Sequence, residues 1–485
     1  MRGQKGWDYR PFSRLNEMHK RELPYVCRLA PFTDGCIVAW IDNNMAAQGK
    51  ANAHSIRYKQ RSSEYPPVTV KAEGTEYTIK GLKPNCEYEV TVFRTDDPAA
   101  SSDRRLFRTG FYPGQIVSYI HPKDQAYSFS GVCPSSPSIT RTHTGRLLAS
   151  TDVWGGHGII SSLTLIYKSD DDGKTWQYLC ELYPCEWGEL FCHRGKVYML
   201  ATTSEYGTLL IGRSDDNGET WTSPAIIFPG SANNAEGGPH KGANPVFHHK
   251  GRIWTALEYG TWARGYFDSG VLSISEDDDL MKPENWACTG FLHFDTNWPG
   301  ATPVSAGPGY VIGNRSIIEG NILTAPDGTL YNMLRDNNHI PTEASLGKAV
   351  FLKIDPDNPE KMPVFDRIID FNGGAQKFVV NRDEKTGVYY TIVDRAVSVS
   401  GYGQRNVLSF SVSKDLFNWK IVKDLLNYQD EAPEETGFQY TDQVLIGDDL
   451  YFFCRTAFNH AVNYHDGNCV TFHKVDGFRE LLAKA

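Results

Sequence analysis

The chain has 485 residues with 44 glycines, 26 prolines and 12% aromatic residues, and its formal net charge at pH 7 is -9. This length allows two or more domains with substantial cores, and the composition favours many short strands joined by turns over a helix bundle. The negative charge argues against a nucleic-acid or anionic-membrane partner. The sequence contains no apolar run long enough to cross a membrane and no apolar signal-peptide core at its start. We therefore expect a cytoplasmic protein, with secretion as the alternative if a leader has been removed.

The ten cysteines follow no CxxC pattern and no metal-ligand spacing. Several lie inside apolar runs, such as Cys454 in "LYFFCRT", which is typical of buried thiols. We expect these cysteines to be reduced, with disulfides as the alternative, and we expect neither a metal nor an organic cofactor.

Residues 24–110, which follow an extension over residues 1–23, contain short alternating segments such as "CIVAWID", "SIRYKQR" and "YEVTVFR". Such alternation predicts strands with one buried face. The segment "LKPNCEY" places Leu82 and Pro84 before Tyr88, a pattern that matches a tyrosine corner. The region resembles a fibronectin type III domain, which implies a β-sandwich. It serves either as a carbohydrate-facing accessory module or as a plain stabilising domain.

Between residues 113 and 485, a glycine turn followed by a short apolar strand occurs six times, as in "HTGRLLAS" and "HRGKVYML". The separations between successive turn glycines are 50, 56, 77, 59 and 60 residues. A period of this size with several short strands per unit is typical of β-propeller blades. The sequence thus predicts an all-β chain in which residues 113–485 form a six-bladed propeller. The six turn glycines are Gly145, Gly195, Gly251, Gly328, Gly387 and Gly447.

A second pattern occurs before the last strand of the units, as "SDDDGKTW" at 169–176 and "SDDNGETW" at 214–221. Degenerate versions occupy 275–286 and 413–419. The pattern is the Asp-box, and with it the region resembles the sialidase superfamily of Asp-box (BNR-repeat) propellers, which implies six blades. Its Asp and Gly residues suit a tight turn, and the Trp that follows is placed to pack between sheets. We interpret the turn as structural and expect no metal there.

The two ends of the predicted propeller are related. The sixth unit ends after three strands, whereas the segment "GQIVSYI" at 114–120 belongs to no complete unit. An open propeller would leave two sheet edges exposed. We therefore expect this early strand to complete the sixth blade and close the ring.

Ligand chemistry is expected around the axis, at the face opposite the glycine turns and Asp-boxes. Seven or eight residues past the turn glycine, units four, five and six contain Arg335, Arg395 and Arg455. Units one and three contain Asp152 and Glu258 at this position. Three guanidiniums around one axis suit a carboxylate-bearing ligand, because each can bind it through two hydrogen bonds. Ion pairs with sequence neighbours are the alternative.

The loops beside these positions are rich in polar and aromatic residues, a combination that suits sugar binding. For His465 and Asp466, a loop cap is the alternative interpretation. The same regions also contain Glu189, His240, Arg405 and Asp442. The candidate substrate contacts are Trp154, Trp262, Arg264, Asn337, His339, Tyr402, His465 and Asp466 in the loops, with Arg315 and Glu319 in the segments that lead into the blades.

Sialidases combine a three-arginine clamp with a Tyr–Glu nucleophile pair and an Asp acid/base. The resemblance implies that the three arginines above form the clamp, that Asp152 is the proton donor, and that Tyr259 beside Glu258 supplies the nucleophile. The Arg-Ile-Pro motif of that family is absent, since the stretch before the first blade reads "GFYPGQIVSYIHPKDQ". The pattern "RTAFNH…HDGNCVTFH" looks more like propeller proteins of gut and soil bacteria, some of which are α-rhamnosidases or polysaccharide lyases that use His and Tyr.

Three functions are consistent with these features. The first is an exo-acting, sialidase-like glycoside hydrolase on an acidic glycan terminus, which needs a protonated acid and a nucleophile or base. The second is a lyase or α-rhamnosidase-type enzyme on uronate-containing glycans, with His157 as the candidate base. The third is a glycan-binding propeller without catalysis. In each case the expected partner is an acidic oligosaccharide or polysaccharide, and the sequence predicts neither the sugar nor the oligomeric state.

Overall fold

The structure, a computed structural model, describes residues 23–42, 44, 53–155, 162–302, 315–400 and 403–485. Its regular elements are almost all strands, as the sequence predicts, with a short helix α1 at Phe478–Leu482 near the end of the chain. Within these residues, no helix has the length and apolar character needed to cross a membrane.

The N-terminal region forms a three-stranded sheet and a four-stranded sheet. Apolar side chains of both sheets, including Trp40, pack between them. The Tyr88 hydroxyl accepts a hydrogen bond from the Lys83 backbone N–H at 2.9 Å, which is the contact expected of a tyrosine corner. The assignment to the fibronectin type III class stays a prediction. The strands are β1 (Tyr25–Phe32), β2 (Gly35–Ile41), β3 (Ala53–Gln60), β4 (Val68–Glu73), β5 (Glu76–Ile79), β6 (Glu87–Arg94) and β7 (Arg105–Arg108).

The larger region is built mainly from antiparallel strands, and the predicted β-propeller class is confirmed. We divide its strands into six successive units, the third and fourth of which are joined into one nine-stranded sheet by the parallel pairing of Tyr266 and Phe267 with Arg315 and Ser316. Unit one comprises β9 (Gly131–Pro134), β10 (Ser138–Arg141), β11 (Leu147–Gly155), β12 (Leu163–Ser169) and β13 (Gln177–Leu182). Unit two comprises β14 (Glu186–His193), β15 (Lys196–Thr202), β16 (Leu209–Ser214) and β17 (Ala225–Phe228). Unit three comprises β18 (Gly238–His240), β19 (Phe247–His249), β20 (Arg252–Thr261), β21 (Tyr266–Ser275) and β22 (Ala287–Cys288). Unit four comprises β23 (Arg315–Thr324), β24 (Leu330–Asp336), β25 (Lys348–Lys353) and β26 (Val364–Asp370). Unit five comprises β27 (Val380–Arg382), β28 (Tyr389–Asp394), β29 (Val407–Ser413) and β30 (Lys420–Asn427). Unit six comprises β31 (Gly437–Ile446), β32 (Asp449–Ala457) and β33 (Cys469–Lys474), together with β8 (Gln115–Tyr119).

Strand β8 closes the sixth unit. It pairs antiparallel with β33, from Tyr119 opposite Cys469 to Gln115 opposite Phe472. The outer edge of the last sheet is thereby covered by a strand from the start of the region. The predicted closure of the ring is confirmed.

The N-terminal region packs directly on the propeller through buried polar contacts. The Arg105 guanidinium pairs with Asp124 of the propeller region at 2.7 Å, and it also donates to the Val26 carbonyl of its own region at 2.6 Å. The Tyr25 hydroxyl donates to Glu181 at 2.8 Å. Buried charge-assisted bonds of this kind lose strength rapidly when either partner moves. The two regions are therefore fixed relative to one another.

The eight-residue turns have a structural role, as expected. In the first, Asp171 accepts hydrogen bonds from the Thr175 backbone N–H at 2.9 Å and hydroxyl at 2.6 Å. Asp216 and Thr220 repeat this arrangement at 2.8 and 2.5 Å. Trp176 is buried and packs its ring centroid 5.0 Å from Phe453 and 5.3 Å from Phe472 of the sixth unit.

The described residues contain neither a disulfide nor a cluster of metal-ligating side chains. All ten cysteines lie in the described part of the chain, and none forms a disulfide. Across the described ranges, no group of three or more His, Cys, Asp or Glu side chains is arranged to hold a metal ion.

Candidate functional site

The first strands of units two, four and six each contain a β-bulge at the same position. The strand register shifts between Glu186 and Glu189 in β14, and it shifts in the same way in β23 and β31. Each bulge contains a non-glycine residue with positive φ: Trp187 at 51°, Glu319 at 58° and Tyr440 at 55°. This backbone is unfavourable for such residues, and a bulge re-aims the side chain it carries. All three side chains line one cavity near the axis.

The cavity has a volume of about 140 Å³. Its wall has two chemically distinct halves. Units four to six contribute guanidiniums, whereas units one to three contribute three tryptophans, a glutamate and a histidine. The lining residues are Ser135, Ser136, Trp154, Trp187, Glu205, His240, Trp262, Ile318, Glu319, Arg335, Arg405, Tyr440, Arg455 and His465.

Arg335, Arg405 and Arg455 form the basic half. Arg335 pairs with Glu319 at 3.0 Å, and Arg455 donates to the Ser135 hydroxyl at 2.8 Å. Arg405 is only 8% exposed, and no atom in the described part of the chain accepts a hydrogen bond from its Nε or Nη1. Burial and the other two guanidiniums lower the pKa of Arg405 to about 10. At neutral pH the cavity therefore contains a charged guanidinium with unused donors.

Arg395, predicted to be the third arginine of the clamp, does not line the cavity. Its Nε and Nη2 bind the two carboxylate oxygens of Asp424, each at 2.8 Å. The residue of β28 in register with Arg335 and Arg455 is Asp394, one position earlier. Because side chains alternate along a strand, this one-residue difference turns Arg395 to the other face of the sheet. Arg405, from the loop before β29, supplies the third guanidinium instead.

Tyr440 and Glu319 form a hydrogen-bonded pair on neighbouring sides of the cavity. The Tyr440 hydroxyl donates to Glu319 Oε1 at 2.7 Å, while the Arg455 guanidinium carbon lies 4.0 Å from the Tyr440 ring centroid. Burial and Glu319 raise the pKa of Tyr440, so its phenol is neutral at pH 7. Burial acts to raise the pKa of Glu319, but Arg335, His240 and the Tyr440 hydroxyl outweigh it and lower the pKa. The pair thus combines a neutral phenol with an ionised carboxylate.

Asp152 and Glu258, predicted as catalytic groups, lie behind the bulges and do not line the cavity. Asp152 accepts hydrogen bonds from the backbone N–H groups of Ser136 at 2.5 Å and Trp187 at 3.0 Å. Burial raises the pKa of Asp152, against the effect of these bonds. Glu258 accepts from the Gly320 N–H at 3.2 Å. The two carboxylates therefore hold the loops that carry cavity residues.

The aromatic half is formed by Trp154, Trp187 and Trp262. Trp154 makes an edge contact with His465, with 5.2 Å between ring centroids, and His465 Nδ1 binds Asp466 at 2.7 Å. Burial, together with the nearby arginines, lowers the pKa of His465 to about 4, so its ring is neutral at pH 7. Flat apolar surfaces with polar groups between them suit a sugar ring.

Several other predicted residues are placed away from the cavity wall. Tyr259 packs against Phe228 and Phe291, with centroid distances of 5.9 and 5.7 Å. His339 is buried and binds Thr302 at 2.9 Å, and Arg264 lies on an exposed 3₁₀ turn.

Asn337 does not line the cavity, but its side-chain oxygen accepts a hydrogen bond at 2.8 Å from Arg335, which does. His157 and Tyr402 lie outside the described residues, as does the side chain of Arg315.

The sequence contains a signal that would have identified the bulge residues. Units two, four and six contain the triplets Trp187-Gly188-Glu189, Glu319-Gly320-Asn321 and Tyr440-Thr441-Asp442 at matching positions. In each triplet the first residue lines the cavity, and the third is buried. Comparing only alternate units makes this repeat visible, whereas comparing all six obscures it.

Buried charged side chains from the segments around the first strands form a further layer in the interior of the propeller. Glu189 acts electrostatically on Lys241 and Lys377, Asp442 acts on Lys377, and all four side chains are buried. Burial, with Asp442, raises the pKa of Glu189 to about 8, and burial lowers the pKa of Lys241 to about 8. Glu189 and Asp442 are therefore part of the propeller interior and not of the cavity wall.

Several solved structures share the fold of this chain at low sequence identity. No protein-family model and no curated protein sequence match it. The intramolecular trans-sialidase from Ruminococcus gnavus is 13% identical with a TM-score of 0.46, over 74% of this chain and 97% of that one. An α-L-arabinofuranosidase from Fusarium graminearum is 14% identical with a TM-score of 0.47, over 70% and 92%. The NanB sialidase from Streptococcus pneumoniae is 10% identical with a TM-score of 0.48, over 94% and 93%.

Proposed function

We propose that this protein is an exo-acting glycoside hydrolase that releases a terminal sugar carrying a carboxylate. The observation that carries the proposal is the buried guanidinium of Arg405, whose Nε and Nη1 meet no acceptor among the described residues, beside Arg335 and Arg455. A buried cation with unused donors is costly, and a ligand carboxylate supplies the acceptors. A cavity of about 140 Å³ suits one sugar unit, which supports action at a chain end.

The Tyr440–Glu319 pair supports covalent catalysis. Glu319 is ionised and accepts the Tyr440 proton across a 2.7 Å hydrogen bond as the phenol oxygen attacks the anomeric carbon. A neutral nucleophile avoids the repulsion that a carboxylate would meet from the carboxylate of the substrate. The guanidinium of Arg455 above the Tyr440 ring stabilises negative charge that develops on the phenol oxygen.

The same arginines favour elimination as a second candidate function. Three guanidiniums around a uronate carboxylate would make its neighbouring C5 proton more acidic, and Tyr440 is positioned beside them. The product would be an unsaturated sugar that absorbs in the ultraviolet, whereas hydrolysis gives none.

A panel of acidic oligosaccharides, with neutral ones for comparison, tests the proposal. We expect release of an acidic monosaccharide without ultraviolet absorbance, loss of turnover in Tyr440→Phe, and retained turnover in Tyr259→Phe, whose ring lies outside the cavity. Full activity of Tyr440→Phe would overturn the proposal. An absorbing product would replace hydrolysis by elimination, and tight binding without conversion would indicate a glycan-binding propeller.

A further inference from the structure

One histidine of the cavity wall is oriented by a carboxylate. His240 Nδ1 lies 3.2 Å from Glu258 Oε2, and both side chains are almost completely buried. Glu258 is itself fixed, since its Oε1 accepts the Gly320 N–H at 3.2 Å. A carboxylate at Nδ1 holds the proton on that nitrogen, so Nε2 is the position at which the ring gains or gives a proton.

The His240 ring is held by aromatic neighbours. Its centroid is 4.4 Å from the Trp187 ring and 5.0 Å from the Phe267 ring. These contacts and the bond to Glu258 resist rotation of the imidazole. His240 Nε2 makes no hydrogen bond to any residue that the structure describes, while the ring borders the cavity. An oriented ring with one free nitrogen is the arrangement required of a proton-transfer group.

The other titratable groups of the wall are less suited to give a proton. Glu319 is ionised and bound to Tyr440 and Arg335. His465 is neutral at pH 7, because burial and nearby arginines lower its pKa. Glu205 borders the cavity, but within the described ranges no carboxylate or histidine forms a hydrogen bond with its side chain, and its backbone N–H donates to the Glu186 carboxylate at 3.1 Å.

We propose that His240 is the catalytic acid/base, which rests on the proposed hydrolase function, and that Glu258 is its positioning residue. In the first step the glycosidic C–O bond breaks, and the leaving oxygen keeps the bonding electron pair and takes the proton of His240 Nε2. The Tyr440 oxygen bonds to the anomeric carbon and its proton passes to Glu319. In the second step water gives a proton to His240 Nε2 and its oxygen to the anomeric carbon. The Tyr440 oxygen then leaves and regains its proton from Glu319.

Leaving-group dependence tests this assignment. An aryl leaving group, such as 4-methylumbelliferone, departs without a proton, whereas a sugar does not. We expect His240→Gln to lose about 10²–10⁴-fold in kcat/KM on an acidic disaccharide, but less than about tenfold on the aryl glycoside of the same sugar. Glu258→Gln, which removes the negative charge and leaves one oxygen to accept from both His240 Nδ1 and the Gly320 N–H, should show the same pattern with a smaller loss. His248→Gln is the matched control, because His248 binds Glu276 at 2.8 Å in a similar pair on the surface.

The outcomes separate the two proposals. Equal losses on both substrates in His240→Gln and Glu258→Gln would overturn the role of His240. A leaving-group-dependent loss in Glu205→Gln with none in His240→Gln would assign the role to Glu205. If the wild type cleaved neither substrate, the hydrolase proposal would fail, and this inference with it. Thermal unfolding of each variant, compared with His248→Gln, identifies losses that arise from folding alone.

Discussion

At the residue scale, the cavity is defined by which side chain of each strand faces the axis. Arg335 and Arg455 occupy equivalent positions of β24 and β32, and Asp394 occupies the same position of β28. Both oxygens of Asp394 are buried without a hydrogen-bond donor among the described residues, and burial raises its pKa well above the usual value. A raised pKa disfavours the charged form of Asp394, the form that would compete with a ligand carboxylate for the neighbouring arginines.

Substitution can show whether Arg405 or Arg395 is the third arginine that binds the ligand. Arg405→Lys replaces a planar fork by a point charge, and we expect it to weaken binding of an acidic monosaccharide by about 1.5–3 kcal/mol. Arg395→Lys should leave binding unchanged, because Arg395 pairs with Asp424 outside the cavity. Isothermal titration with an acidic and a neutral sugar measures both. A larger loss in Arg395→Lys than in Arg405→Lys would contradict the placement.

Much of the fold was predictable, but only part of the site was. The turn glycines and the eight-residue turns fix the unit length, and the unpaired segment at 114–120 indicates how the ring closes. Counting from the turn glycines selected Arg335 and Arg455, and both side chains line the cavity. The count could not select Tyr440, because this residue lies at a bulge in the first strand of its unit. Nor could it select Arg405, whose loop is positioned by contacts with the sixth unit that no local pattern encodes.

At the element scale, each bulge is held by the unit before it. Asp152 of unit one binds the Trp187 N–H, and Asn244 of unit three donates to the Glu319 and Gly320 carbonyls at 2.6 and 2.8 Å. In unit six, the Thr441 hydroxyl donates to the Ile392 carbonyl of unit five at 3.1 Å. Hydrogen bonds between side chains and the main chain therefore maintain an unfavourable backbone at the three cavity positions.

Substitution of Asp152 tests this support. Asp152→Asn turns one acceptor into a donor facing a backbone N–H, and we expect a loss of about 1–3 kcal/mol in unfolding free energy. Because Trp187 then moves, activity should fall by the same factor on substrates with good and poor leaving groups. Chemical denaturation and kinetics on both substrates measure these effects. A loss confined to poor leaving groups would restore Asp152 as the proton donor.

The tryptophan of the first eight-residue turn is expected to affect stability alone. Trp176 fills the contact between the first and sixth units, against Phe453 and Phe472. Trp176→Ala should reduce the free energy of unfolding by roughly 3–5 kcal/mol, because it leaves a cavity in the core. Sugar affinity of the folded protein should not change. Normal melting with impaired binding would contradict the structural role of the turn.

At the scale of the whole molecule, the axis contains ionisable groups that are buried on all sides. Glu186 and Glu189 have pKa values raised to about 8, chiefly by burial. For a raised carboxyl pKa, the folded state binds the proton more tightly than the unfolded state does. Its contribution to stability is present below the ordinary glutamate pKa and is lost as the pH rises through about 8.

Glu186 permits a direct test of this pH dependence. Burial and the nearby Asp152 raise its pKa, and one of its oxygens accepts no hydrogen bond in the described part of the chain. We expect wild-type unfolding free energy to fall on the order of a few kcal/mol between about pH 5 and pH 8. Glu186→Gln, which cannot ionise, should show a smaller fall. Denaturant titrations across this range measure the difference, and parallel pH curves for the two proteins would contradict the assignment.

At each of the three bulges, the hydrogen bonds that hold the backbone do not involve the side chain that faces the cavity. The same backbone device presents an indole at Trp187, a carboxylate at Glu319 and a phenol at Tyr440. Because the supporting bonds described for each bulge involve its main chain or the residue after it, replacement of the presented side chain leaves the frame intact. Evolution can therefore exchange the chemistry of such a cavity one position at a time. Position 187 is the natural place for a change of sugar preference, since the Tyr440–Glu319 pair would remain in place.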